Sequence, residues 1–197
     1  MRKFLWGLMT FLSVGVAIYG WVFLYLDGFG EHGAMAYHFA KRPLAVILHF
    51  GFSPLALLVG GFQFLESVRK NRPAIHRWTG RIYVTACMLG AVGGLWLALT
   101  SEAGLLAQFG FGLLGVFWVY TTGKAYLEAR AKRFASHQRW MIRSFALTFA
   151  AVTLRIYLGL TMGAFQMDFF EVYPVIGWAC WVPNLIFAET YIRRWLR

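Results

Sequence analysis

Apolar residues in this chain fall into six long blocks, set apart by short polar or basic connections. The blocks cover residues 4–26, 43–65, 79–100, 105–127, 140–162 and 172–192. A helix rising 1.5 Å per residue needs roughly 20 apolar residues to cross a bilayer core of about 30 Å, so each block suffices for one crossing. Inside the blocks, polar and small residues recur at steps of three or four. That is the period of a helix with one protein-facing stripe, because a polar side chain facing lipid is costly. The pattern predicts an all-α, polytopic membrane protein, a six-helix transmembrane bundle forming a single domain over residues 1–197.

Composition agrees with this. The chain is 59% hydrophobic with only 14% charged residues, and its mean hydropathy is +0.58. Soluble domains lie nearer half apolar and a quarter charged. Arg2 and Lys3 ahead of an apolar run resemble a secretory signal. The run is too long, however, and no small-residue cleavage site precedes Asp27, so it reads as a retained first span. Cys87 and Cys180 both sit in apolar runs and read as small buried hydrophobes.

The net charge of +11 would suit nucleic acid if it lay on a soluble face, but it lies in the connections between spans. With the N-terminus inside, sixteen of the nineteen Lys and Arg fall on the inner side, only Lys41 and Arg42 on the outer, and Arg155 within a span. This asymmetry predicts both termini in the cytoplasm, a multi-pass location in the bacterial cytoplasmic (inner) membrane, membrane lipids as partners and no nucleic acid. Glu66, Glu128 and Glu189 at inner span ends read as balancing neighbouring arginines. Pro183 and Asn184 read as a local kink with a polar cap.

One short pattern occurs twice. His76-Arg77-Trp78-Thr79-Gly80-Arg81-Ile82-Tyr83 opens the third span, and His137-Gln138-Arg139-Trp140-Met141-Ile142-Arg143-Ser144 opens the fifth. Arg and Trp at the inner border follow from the positive-inside rule and the aromatic belt. Histidine at both places does not. Two histidines from separate helices are a usual way to hold a b-type haem, so His76 and His137 are the candidate metal ligands. Arg77, Arg81, Arg139 and Arg143 are the candidate contacts to its anionic edge. This inner pairing requires the third and fifth spans to be neighbours.

Three stripes extend the picture. Span five carries His137, Met141, Ser144, Thr148, Ala151, Arg155, Gly159 and Met162; span two carries His49, Ser53, Ala56, Gly60, Gln63 and Ser67. Span three shows His76, Gly80, Tyr83, Cys87, Gly90 and Gly94, a seam that serves either close helix packing or a flat cofactor. Arg155 lies about 27 Å along its helix from His137, and His49 roughly 9 Å in from the outer side. The two are at comparable depth and form a candidate outer site, for instance for a quinone headgroup. Other partners for Arg155 are a haem propionate or a carboxylate among Asp27, Glu31, Asp168 and Glu171. His32, His38 and His49 give only a weak metal signal.

Gly60 and Gln63, the two histidine motifs and Arg155 together make the chain resemble the bacterial membrane proteins catalogued as domain of unknown function 2306, from about His49 to the last span. That resemblance implies a helical membrane protein similar in architecture to small cytochromes b, including the diheme type. The chain departs from the diheme pattern, since His49 has no intramembrane histidine partner. The reading is therefore an electron carrier with one inner haem b and an outer polar site for a quinone. Its rivals are a non-catalytic accessory or assembly subunit of a respiratory or photosynthetic complex and a small transporter using Arg155 and His49; the expected protein partner is a larger membrane complex or a second copy of the chain in a homodimer.

Overall fold

Among the residues that the computed structural model describes, six helices long and apolar enough to cross a membrane occupy Phe4–Leu26, Pro43–Phe64, Pro73–Leu99, Gly104–Arg130, Phe134–Ala164 and Phe169–Trp195. The structure describes residues 2–28 and 36–196. Glu31 and His32 lie outside them. No strand occurs among the described residues.

In chain order the α-helices are α1 (Arg2–Phe23), α2 (Ala36–Lys41), α3 (Pro43–Gly60), α4 (Glu66–Asn71), α5 (Pro73–Leu99), α6 (Gly104–Arg130), α7 (Phe134–Thr148), α8 (Ala150–Leu158), α9 (Phe169–Ala179) and α10 (Val182–Trp195). Two of these begin six residues before the apolar blocks they contain. The third span starts at Pro73 rather than Thr79, and the fifth at Phe134 rather than Trp140. Backbone hydrogen bonds do not stop where apolar side chains do, and proline at the first helical position suits a helix start. Hydropathy therefore marks the slab, while the helix continues into the headgroup region.

The chain divides into two compact units, Met1–Gly93 and Gly94–Arg197, with the boundary inside α5. In the first unit α1 packs along the second span, on α3 and the turn after it, through two tryptophans. Trp6 Nε1 donates to the Gly61 carbonyl at 3.0 Å, and Trp21 Nε1 to the Gly51 carbonyl at 3.1 Å. Pro54 lacks an N–H and breaks the α3 ladder beside Gly51, so the second tryptophan reaches backbone next to that gap. Tyr83, Ala86, Cys87 and Ala91 of α5 are all buried. A Cβ on Gly90 would come within 3.1 Å of the Ser53 backbone nitrogen. One on Gly93 would come within 2.5 Å of the Ala45 carbonyl and 2.6 Å of the His49 nitrogen. Backbone of α3 thus occupies the space beside both glycines, the close approach that small residues permit.

In the second unit α7 and α9 both pack against α6, and α10 against α7. A Cβ on Gly110 would meet the Gly177 carbonyl carbon at 2.9 Å, and Trp178 Nε1 donates to the Leu106 carbonyl at 3.0 Å. The α6–α7 turn passes through Lys132 at φ 57°. Arg133 closes it with two hydrogen bonds to Glu128, at 2.6 and 2.8 Å.

Spans five and six are each interrupted, between α7 and α8 and between α9 and α10. Asn184, one residue after Pro183, serves both breaks. Its Nδ2 donates to the Ala146 carbonyl at 3.3 Å, to the Cys180 carbonyl at 3.0 Å and to Thr153 Oγ1 at 3.0 Å. The expected kink with a polar cap is present, and the cap reaches a second helix as well. Carbonyls released by a helix break have no water to turn to inside a bilayer. Asn184→Leu is therefore expected to cost about 2 kcal/mol, read as a lowered thermal midpoint in detergent. Asn184→Asp, which keeps an oxygen but loses the amide donors, should not restore it.

Candidate functional site

The two motif histidines occupy the same helical position. Each is the fourth residue of its helix, with its backbone N–H bonded to an arginine carbonyl just before the helix: His76 to Arg72 at 3.2 Å and His137 to Arg133 at 2.9 Å. His76 belongs to the first unit and His137 to the second.

His137 is half-buried, and its Nδ1 lies 2.8 Å from the Ala125 carbonyl on α6. A carbonyl only accepts, so this contact assigns a proton to Nδ1, and in the neutral ring Nε2 then carries the lone pair. His49 repeats the arrangement in the first unit. Its Nδ1 lies 2.9 Å from the Gly90 carbonyl of α5, with Ser53 Oγ 3.2 Å away. His76 is also half-buried, and its Nδ1 is shielded from solvent. An imidazole whose Nδ1–H is tied to backbone presents Nε2 in a defined direction, which is how proteins orient metal-binding histidines.

The basic and aromatic residues of the motifs do not share one arrangement about the histidine. Arg81 stacks over Trp78 at 4.8 Å, and Arg143 over Trp140 at 4.6 Å, each three residues apart on its helix. Trp78 follows its histidine by two residues, however, and Trp140 by three. One residue is about 100° of helix rotation, so the stacks point in different directions relative to the imidazoles. Arg143 also makes two hydrogen bonds to Glu189, including Nη2 to Oε2 at 2.9 Å. Its charge is balanced within the unit. Arg77 and Arg81 are exposed and Arg139 is half-buried.

Glu128 and Glu189 pair with arginines, as the sequence predicts, while the partner of Glu66 is a lysine. Glu66 pairs with Lys70 at 2.6 Å, Glu128 with Arg133 and Glu189 with Arg143. Donating its two hydrogen bonds to the Glu128 carboxylate holds the Arg133 guanidinium above its ordinary pKa. Asp168 accepts from the Phe170 N–H and caps α9.

Much of each polar stripe is taken up by neighbouring helices. On α7, Ser144 bonds Thr122 Oγ1 at 2.6 Å, and Thr148 accepts from Trp118 Nε1 at 2.8 Å. Both partners are on α6, so the lower stripe of span five is an interhelical seam. On the second span Gln63 donates to Thr79 at 2.6 Å. The glycine stripe of span three is a packing seam as well. At Gly90 and Gly93 the room expected for a flat cofactor holds the backbone of α3. Gly93, the tightest of these positions, was absent from the stripe read off the sequence, because nothing in a sequence marks which glycine faces backbone.

Arg155 is half-buried on α8. His49 lies in the other unit. His38 sits on α2, 3.3 Å from Arg42 Nη1. Among the described residues no three His, Cys, Asp or Glu are grouped to hold a metal ion.

The family described as "Predicted membrane protein (DUF2306)" matches residues 46–192. No curated protein and no solved structure matches the chain.

Proposed function

The chain belongs to this family of predicted membrane proteins, and on that footing we propose that it is a small b-type cytochrome-like electron carrier of the bacterial cytoplasmic (inner) membrane. His76 of the first unit and His137 of the second would each offer an imidazole nitrogen to haem b. The observation that supports this reading is the bond from His137 Nδ1 to the Ala125 carbonyl. The donor set fits the group: two imidazoles, one with its tautomer assigned so that the ligating nitrogen is unprotonated.

Haem b, when bound, supplies a one-electron couple. The chain's own residues set the conditions for it. The Ala125 carbonyl draws on the Nδ1 proton, which makes Nε2 more electron-rich and favours the oxidised metal. Arg77, Arg81 and Arg139 bring positive charge, which favours the reduced one and suits propionate groups. Arg143 contributes least to this field, since Glu189 offsets it. His49 in the first unit and Arg155 in the second are each proposed as a polar contact for a quinone headgroup, whose carbonyl oxygens accept hydrogen bonds from a guanidinium.

The absorption spectrum of the protein purified in detergent tests the proposal. A red preparation with a Soret band is expected. A colourless preparation without iron by elemental analysis would sink it. Co-purification with a large membrane complex, indifferent to loss of the histidines, would point instead to an accessory subunit.

A further inference from the structure

The last helix carries a feature that electron transfer does not use. A shallow groove of about 380 Å³ runs along α10, with Trp181, Leu185 and Ile186 in its body and Glu189, Thr190 and Arg193 at one end. From Val182 to Arg193 is about 16 Å of helix, close to half of a ~30 Å hydrocarbon core. Trp181 closes the far end. Its ring is buried and fixed, with Nε1 donating to the Gly177 carbonyl at 2.9 Å.

Charge differs between the two ends. Glu189 is already held by Arg143 through both carboxylate oxygens. Thr190 donates its proton to the Ile186 carbonyl at 2.8 Å. The mouth is thus left with one surplus cation, Arg193, which is exposed. A groove one leaflet long, apolar along its length and cationic at its mouth, matches a molecule with one acyl-length tail and an anionic head.

We propose that this face of α10 binds an anionic phospholipid, with one acyl chain lying along Leu185 and Ile186 and the phosphate at Arg193. The inference is independent of the haem reading. It differs from general attraction of basic loops to a membrane, because the cation here adjoins a groove that defines where the tail goes.

The test is native mass spectrometry of the detergent-purified protein, titrated with phosphatidylglycerol or phosphatidylcholine of the same chains. Phosphatidylglycerol should be retained preferentially, and Arg193→Gln should weaken that retention about fivefold, the effect of one cation near an anionic head. Leu185→Trp, which fills the groove, should abolish retention of both lipids while far-UV circular dichroism stays helical. Ile186→Trp makes the same test at a more exposed position should Leu185→Trp misfold. Equal retention of the two lipids by the wild type would overturn the proposal, as would unchanged retention in Arg193→Gln. A dimer that Ile186→Trp dissociates would assign the face to a second copy of the chain instead.

Discussion

Gly93→Leu should unfold the first unit outright in detergent. The position meets backbone on α3, with the Ala45 carbonyl 2.5 Å and the His49 nitrogen 2.6 Å from where a Cβ would sit. A flexible side chain can turn aside from an added group; a helix backbone moves only as a whole. Overpacking of a well-filled interior costs about 1–3 kcal/mol, and a clash against backbone belongs at the top of that range or above it. Moving α3 away would also separate His49 Nδ1 from the Gly90 carbonyl, so two losses add together. Cys87, 1% exposed and on the same helix, reports the result. In a Cys180→Ala background it should react with a maleimide dye in Gly93→Leu and stay protected in the parent. Gly112→Ala is the control, since nothing lies within 4 Å of a Cβ there. It should be neutral or stabilising by about 0.5 kcal/mol. A Gly93→Leu protein that kept Cys87 protected would refute the close α3–α5 contact.

The second large effect is spectroscopic. His137 holds α6 through Nδ1, and by the proposed function it ligates through Nε2. Two substitutions separate these roles. The amide nitrogen of asparagine stands where Nδ1 stands in histidine, so His137→Asn keeps a donor for the Ala125 carbonyl and removes the second nitrogen. It should abolish the Soret band while leaving the thermal midpoint of the apoprotein nearly unchanged. His137→Ala should abolish the band and also cost about 1 kcal/mol, the worth of the lost hydrogen bond. A haem-containing His137→Asn protein would show that this imidazole is only the clasp of the α6–α7 turn.

Those two experiments mark where reading the sequence succeeded and where it stopped. The inner carboxylates were legible because an acidic residue at a basic membrane border has few other uses, and all three found cations. Asn184 was legible for a similar reason: beside Pro183, deep in an apolar block, an amide has carbonyls to satisfy. The stripes on spans two, three and five face protein over much of their length, but Ser67, Gly159 and Met162 are exposed. Which partner each faced was not legible. Ser144 and Thr148 meet α6, and Gly90 meets Ser53 on α3; these are pairings between residues 22 to 37 apart. No local periodicity carries such information. The likeness of the two histidine motifs was also only partly informative. In the structure both imidazoles stand at the fourth residue of a helix, yet the one-residue offset of Trp and Arg turns their stacks to different faces.

By itself the sequence determined the class of the molecule, because transfer of side chains between water and lipid depends on composition and length alone. Six blocks of bilayer length, with cations between them, admit a polytopic helical protein and little else. Only the tertiary structure decided what the polar atoms inside those blocks do. It assigned the His137 and His49 tautomers through carbonyls of other helices, drew Arg143 to Glu189, and filled the glycine seam with backbone. Each of these depends on which helix comes to lie against which, and hydrogen bonds act over about 3 Å in space whatever the distance along the chain.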